Sequence, residues 1–400
     1  MKTLIINNDT FIWRNNQNGI IYNSSNFKSF LFDNIGLVKS ICDQLDKLEC
    51  LYTINLNKSH ENDEYFQNWV DRLLNIEAAR IIQVDQEEHK EVSFKPILKI
   101  HNDITSIKAN ESYHDIVECL SEITIHVSGS CISKEKQLYY KQFLYTVDTD
   151  GTLDYNKLAT FLSYIPSNNK LIFNLIGDVF NYCMINDLLP LLVQKSSIIN
   201  IYFTEDFFDP NKVTNKILGY LVNFHIVCNA KNYMNLRNKI APNQVSICKF
   251  ILLIEDLPDV NAYDEILFFE DIVDVRPIFS SNMKDFFKEN IYLNKFDLDN
   301  IKSTKREIFA NQVINTNFFG KIEILPDGSI WDNLNFDRIG YINDNFWHIM
   351  KTIFSEDRAW FYCRKQSPCS HCIYQWLCPP PSNYELVIGK PNLCTLDQLI

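Results

Sequence analysis

The sequence predicts an α/β protein: an open, six-fold partial (β/α) barrel, preceded by a small winged-helix-like unit and followed by a cysteine-rich unit. Three observations predict it. Between residues 115 and 300, six apolar strand candidates alternate with amphipathic helix candidates, the pattern of a parallel sheet. Residues 1–85 run as three short strands, then helix, strand, helix, strand. The C-terminal stretch gathers Cys363, Cys369, Cys372, Cys378 and Cys394.

In the first unit, strands are expected at 3–6, 11–14 and 19–23, with the turn-rich Asn15-Asn16-Gln17-Asn18-Gly19 between the last two. Leu37, Ile41, Leu45 and Leu48 follow at helical spacing and predict a helix over 35–48. A strand at 51–56 leads to a second helix at 61–76, with Phe66, Val70, Leu73 and Leu74 on one face, and a strand at 81–84 closes the unit. Residues 86–114 are polar and mixed and read as a linker with an ordered stretch at 92–100. Barrel strands are expected at 122–127, 170–175, 198–203, 223–228, 245–253 and 272–278, with helices at 155–165, 180–192, 210–221, 233–240 and 260–269. Six repeats in about 180 residues suit a partial barrel better than a full eight-fold one. Over 301–400, strands at 320–325 and 329–333 flank Pro326-Asp327-Gly328, a tight hairpin turn.

Composition narrows the function. No apolar run approaches the ~20 residues of a membrane span, and the N-terminus stops being apolar too soon for a signal peptide, so a cytoplasmic protein is expected. A net charge of −12 disfavours nucleic acid or an anionic membrane as the main partner. The 10 glycines form neither G-x-G-x-x-G nor a P-loop, which argues against glycine-cradled phosphate chemistry. Twelve cysteines are many for a compartment where disulfides are rare, and clustered ones there point to metal.

The strongest motif is Cys369-Ser370-His371-Cys372-Ile373-Tyr374-Gln375-Trp376-Leu377-Cys378-Pro379, that is Cys-x2-Cys-x5-Cys-Pro, with Cys394 sixteen residues further on. Two thiolates separated by two residues can meet one metal from a single turn. The third arrives after the chain loops over it, and the fourth clamps the tail. Four thiolates suit an iron–sulfur cluster or a zinc ion. Trp376, Tyr374 and Leu377 would keep the centre dry. Cys363 is left undecided, and Cys42, Cys50, Cys119, Cys131, Cys183, Cys228 and Cys248 read as small core residues.

The chain resembles pseudo radical-SAM proteins with a C-terminal SPASM domain, found with bacterial ribosomal-peptide maturation systems. The resemblance lies in Leu377-Cys378-Pro379-Pro380-Pro381-Ser382-Asn383-Tyr384-Glu385, in Ile322-x-Ile324-Leu325-Pro326-Asp327-Gly328-Ser329-Ile330 followed by Ile339-Gly340-Tyr341-Ile342, and in the six-fold repeat. It implies one [4Fe–4S] cluster on Cys369, Cys372, Cys378 and Cys394, with four-thiolate zinc as the rival. It further implies that Asn317, Asn333 and Ser382 stand where a first auxiliary cluster would have its ligands. The loop after the first barrel strand, Ser128-Gly129-Ser130-Cys131-Ile132-Ser133-Lys134-Glu135-Lys136-Gln137-Leu138, lacks the Cys-x3-Cys-x2-Cys that holds a radical-SAM cluster: with Cys131 first, Glu135 and Leu138 occupy the other two positions. Ile176-Gly177-Asp178-Val179 replaces the cofactor-gripping Gly-Gly-Glu-Pro. S-adenosylmethionine binding and cleavage are therefore not expected, and no catalytic residue is assigned.

The resemblance also implies that residues 1–85 hold a precursor peptide and that the partner is a true radical-SAM enzyme. A peptide strand could add to an unpaired edge, with Ile20, Ile21 and Tyr22 on the strand and Trp69 and Leu73 on the following helix as contacts. The expected function is a non-catalytic accessory protein of peptide maturation. The alternatives are an electron-transfer iron–sulfur protein serving the partner enzyme, or a zinc-stabilised binding scaffold. The pairs Glu255-Asp256 and Glu270-Asp271 lie after strand or helix ends, where chance adjacency among 50 acidic residues is common.

Overall fold

The computed structural model describes residues 2–83, 93–97, 113–130, 133–134, 136–149, 151–167, 170–210, 222–240, 248–266, 268–355, 357–390 and 393–396. Two small sheets build the N-terminal unit. Strands β1 (Lys2–Ile6), β5 (Thr53–Asn55) and β6 (Ala79–Gln83) form one, with β1 in the middle and both pairings antiparallel. Strands β2 (Thr10–Arg14), β3 (Asn18–Asn23) and β4 (Lys28–Asp33) form an antiparallel meander.

Two expectations are corrected here. The first strand leaves the meander, and its place is taken by β4, which the charged and polar ends of Lys28-Ser29-Phe30-Leu31-Phe32-Asp33 had hidden. The second helix starts at Glu64 rather than at 61, because Asp63 caps it by accepting the Phe66 amide, and a separate single turn covers Lys58–Glu61. The Asn15–Gly19 turn forms as expected: the Asn15 side chain accepts from the Gln17 and Asn18 amides. Meander alternation sends Ile21, Phe30 and Phe32 inward, onto Val38, Ile41, Phe66, Trp69 and Leu73 of the helices Gly36–Leu45 and Glu64–Asn75.

Among the described residues, the central sheet has nine strands. Six of them, β7 (Glu122–His126), β8 (Ile172–Ile176), β9 (Ile198–Thr204), β10 (Val222–Asn229), β11 (Cys248–Ile254) and β12 (Ile272–Pro277), are parallel and lie in strict chain order. The helices described between these strands, Tyr155–Ser163, Ile185–Lys195, Tyr233–Arg237 and Leu257–Ile266, pack on one apolar face of the sheet. The expected helix at 210–221 and the ordered stretch at 92–100 fall mostly outside the described residues, and residues 93–97 carry no strand.

The C-terminal hairpin joins this sheet. β13 (Lys321–Ile324) runs parallel to β7, then β14 (Ser329–Trp331) and β15 (Gly340–Tyr341) continue antiparallel. The turn holds Gly328 at φ +81°, and Asp327 accepts the Ser329 amide at 2.9 Å. A side chain at Gly328 would be strained.

Alternation divides the sheet into two unlike faces. Ile123, Ile125, Phe173, Leu175, Ile201, Phe203, Ile226 and Leu252 face the helices and make the main core. The opposite face carries polar side chains on successive strands. Asn223 donates to Asn200, Asn200 to Asn174 (each 2.9 Å), and Asn174 to Glu122 (2.7 Å). Three asparagines inside otherwise apolar strands were the signal for this face, and the sequence expectations did not use it.

Candidate functional site

Cys369, Cys372, Cys378 and Cys394 line one cavity with Leu293, Leu298, Leu393, Leu396, Pro368, Gln375 and Arg364. A one-turn helix at Cys369–His371 brings the first two together. The Cys378 amide bonds to the Tyr374 carbonyl at 2.9 Å and turns the chain back. The Leu293 amide donates to the Leu393 carbonyl and the Thr395 amide to the Leu293 carbonyl, which holds the segment around Cys394 in place. Cys363 is buried outside this lining, and burial pushes its thiol up to about 11. Of the presumed core cysteines, Cys42, Cys228 and Cys248 are buried, Cys50 and Cys119 are partly so, and Cys183 is exposed, which corrects its assignment. Cys131 lies outside the described residues.

As the side chains stand, no group of three His, Cys, Asp or Glu among the described residues forms a ready coordination set. The chemistry of the cavity nevertheless suits a metal. Burial raises Cys369, pushes Cys372 up to about 11 and Cys378 up to about 12, and charge on the neighbouring sulfurs pushes the same way. Thiolates gathered in an apolar cavity need added positive charge to ionise together, and a metal supplies it. Arg364 lies in the wall with Nη1 3.9 Å from the Cys369 sulfur, but it is bound to the buried Glu385 at 2.7 Å.

The expected peptide contacts are placed differently from their expectation. β3 is paired on both sides, so Ile20, Ile21 and Tyr22 have no free edge to offer. Ile20 and Tyr22 point from the outer face of the meander into a cluster with Leu298, Ile308, Tyr374, Leu377 and Leu396. Ile21, Trp69 and Leu73 are interior to the N-terminal unit. The reason is the extra strand β4, which takes the edge.

β4 exposes that edge. Its Asp33 exchanges both backbone bonds with the Tyr65 hydroxyl (2.8 and 2.9 Å), so Asp33, Leu31 and Ser29 turn their N–H and C=O groups away from β3. The outward groups of Ser29 and Leu31 have no partner among the described residues. Tyr65 and Arg72, whose guanidinium lies 4.2 Å over Phe30, stand beside this edge on the helix Glu64–Asn75.

Asn317, Asn333 and Ser382 are brought together: all three line a polar cavity against the polar face of the central sheet. Asn317 donates to the Pro380 and Pro381 carbonyls (3.2 Å each) and Asn333 to Asn383 (2.7 Å). At the strand ends, Gly177 has φ +104° and packs on Ser128, whose hydroxyl accepts the Asp178 amide at 2.8 Å. Any side chain at Gly177 would meet the Ser128 backbone, so this corner has a structural reason for its glycine. Of the acid pairs, Asp271 is held by Tyr233 (2.6 Å) and Arg237 (2.8 Å). Burial raises Glu255, and Asp256 takes Lys231 at 3.1 Å.

The same polar face carries a pH signature. His225 stacks on Tyr202, ring centres 4.8 Å apart, and burial lowers its pKa. The folded state thus binds this proton less readily than the unfolded chain. Stability should be intact above the ordinary histidine value of about 6.5 and fall as pH drops below it. His225→Phe should flatten that slope, read from denaturation midpoints on either side of about pH 6.5.

Comparison with known proteins yields a low-scoring structural match. No family model matches the chain, and no curated protein matches it. Among solved structures, Streptococcus suis SuiB bound to precursor peptide SuiA aligns over 98% of this chain and 98% of its own, at 12% identity and a TM-score of 0.43. At that level the match assigns neither family nor activity. No helix among the described residues is long and apolar enough to cross a membrane.

Proposed function

We propose that this chain is a non-catalytic, peptide-binding accessory protein of ribosomal-peptide maturation. Its parts are a winged-helix-like unit, a radical-SAM-type partial barrel and a SPASM-like domain. Cys369, Cys372, Cys378 and Cys394 hold one [4Fe–4S] cluster. The observation that carries this reading is the convergence of those four cysteines on one apolar cavity, against the outer face of the N-terminal meander. A cluster with four cysteine ligands has no open position, so it would supply structural closure or an electron relay.

The peptide-binding part rests on β4. An extended precursor segment would add to Ser29 and Leu31 through the backbone, beside Tyr65 and Arg72. A true radical-SAM enzyme is the proposed partner. The emptied loop around Cys131 and the Ile176-Gly177-Asp178-Val179 turn support the absence of S-adenosylmethionine cleavage.

Metal analysis of anaerobically purified protein tests the centre. About four irons with matching acid-labile sulfide are expected, and Cys372→Ala should remove them. Stoichiometric zinc without sulfide would replace the cluster by a zinc ion on the same four thiolates. Ser29→Pro deletes one outward N–H without touching the β3 ladder and should weaken precursor binding at least about tenfold. Unchanged binding would refute the β4 edge, and 5′-deoxyadenosine formation by the isolated chain would refute the non-catalytic assignment.

A further inference from the structure

The polar cavity against the central sheet has a volume of about 460 Å³. That lies within the roughly 300–1,000 Å³ of ligand pockets and leaves room for a single side chain of a bound peptide. Its fixed charges come largely in matched pairs. Lys321 lies 3.2 Å from Glu122, Arg276 2.8 Å from Asp274, and Arg358 2.5 Å from Asp332. Glu323, on β13, is left over. No lysine or arginine among the described residues reaches it, and its neighbour is the His126 ring, with Nε2 at 3.4 Å.

His126 gives a second, independent observation. Its side chain is 1% exposed and lies on the polar face with Glu122 and Thr124, and its Nδ1 has no hydrogen-bond partner. A carboxylate that no fixed cation matches, set against a buried ring, returns nothing structural. Such an arrangement is explained if a ligand completes it.

We propose that Glu323, backed by His126, receives a cationic group: the ammonium or guanidinium of a basic side chain in the bound peptide. This deepens the peptide-binding reading and rests on it. The imidazole Nε2–H orients the carboxylate, and the arriving cation balances the one charge the cavity leaves unmatched. Tyr140, Tyr202 and Tyr384 line the same space and can shelter an aliphatic stem.

The test uses the full chain and two probes, Nα-acetyl-lysine methylamide and its norleucine counterpart, titrated by ligand-observed NMR. The lysine probe should bind at least about tenfold more tightly, and rising salt should shrink that preference. Glu323→Gln, or Glu323→Leu should the first variant fold poorly, should abolish the preference. Glu61→Gln, at an exposed carboxylate far from the cavity in the N-terminal unit, should leave it intact. Equal affinity of the two probes, a preference that survives at Glu323→Gln, or no saturable binding would each overturn the proposal. An imidazolium at His126 that already neutralises Glu323 would show itself as equal affinity. The metal and β4 experiments use other residues, so their failure is distinguishable from failure here.

Discussion

Glu385→Gln is expected to destabilise the C-terminal unit by about 3–5 kcal/mol, because it leaves a buried guanidinium without its counter-charge. The two side chains are 8% and 4% exposed, and Arg364 Nη1 meets Glu385 Oε1 at 2.7 Å. The carboxylate also accepts the Ser382 amide at 2.6 Å and the Leu393 amide at 3.2 Å. Arg364 in turn gives Nε to the Pro379 carbonyl at 2.5 Å, and its own carbonyl accepts Gln375 at 2.6 Å. One ion pair thus ties the segments that carry Cys369, Cys378 and Cys394. A glutamine amide would present N–H to donors already there. The measurement is the unfolding midpoint together with hydrogen exchange over residues 364–394. The double variant Arg364→Met, Glu385→Leu removes both charges and should recover much of the loss. A cost under about 1 kcal/mol for Glu385→Gln would show that the pair is hydrated and minor.

Much of this organisation was legible in the sequence, for identifiable reasons. The six parallel strands were found because each is a short apolar run between amphipathic helices, and tertiary packing reinforced that local signal. The cysteine spacing carried its own geometry, and the four residues share one cavity. What stayed hidden depended on pairing at long range. Nothing local tells β1 to desert β2 for β5 and β6, or tells β13 to lie beside β7 across two hundred residues of chain. The strand β4 is short and polar at both ends, so its existence, and with it the loss of an edge at β3, follows only from the assembled meander. The Glu323–His126 pair was likewise invisible, since its members are 197 residues apart and meet only through the β7–β13 ladder.

That long-range assembly gives Tyr22 an expected effect of similar size. Tyr22→Ala should cost about 3–5 kcal/mol, in the range of large aromatic truncations in a core. The ring is 1% exposed and lies in the seam between the meander and the cysteine-bearing segment. Its hydroxyl donates to the Ser303 carbonyl at 2.8 Å and accepts the Ser303 amide at 2.7 Å, so truncation empties a cavity and strands two backbone groups. Tyr22→Phe isolates the second effect and should cost about 1–3 kcal/mol. The damage should be local to the seam. Ile21 and its neighbours on β4 face the other way, into the N-terminal unit's own core, which keeps its packing. Loss of amide protection at Ser303 with retained protection at Ile41 and Val70 is therefore expected, along with a red-shifted Trp13 emission. Protection lost equally in both places would mean that the N-terminal unit has no stability apart from the surface it docks on. Leu31, on the strand proposed to take the peptide, packs in the same cluster as Cys372, Cys378 and Cys394. A seam variant should consequently also weaken peptide binding at β4, although Tyr22 itself offers no edge to the peptide.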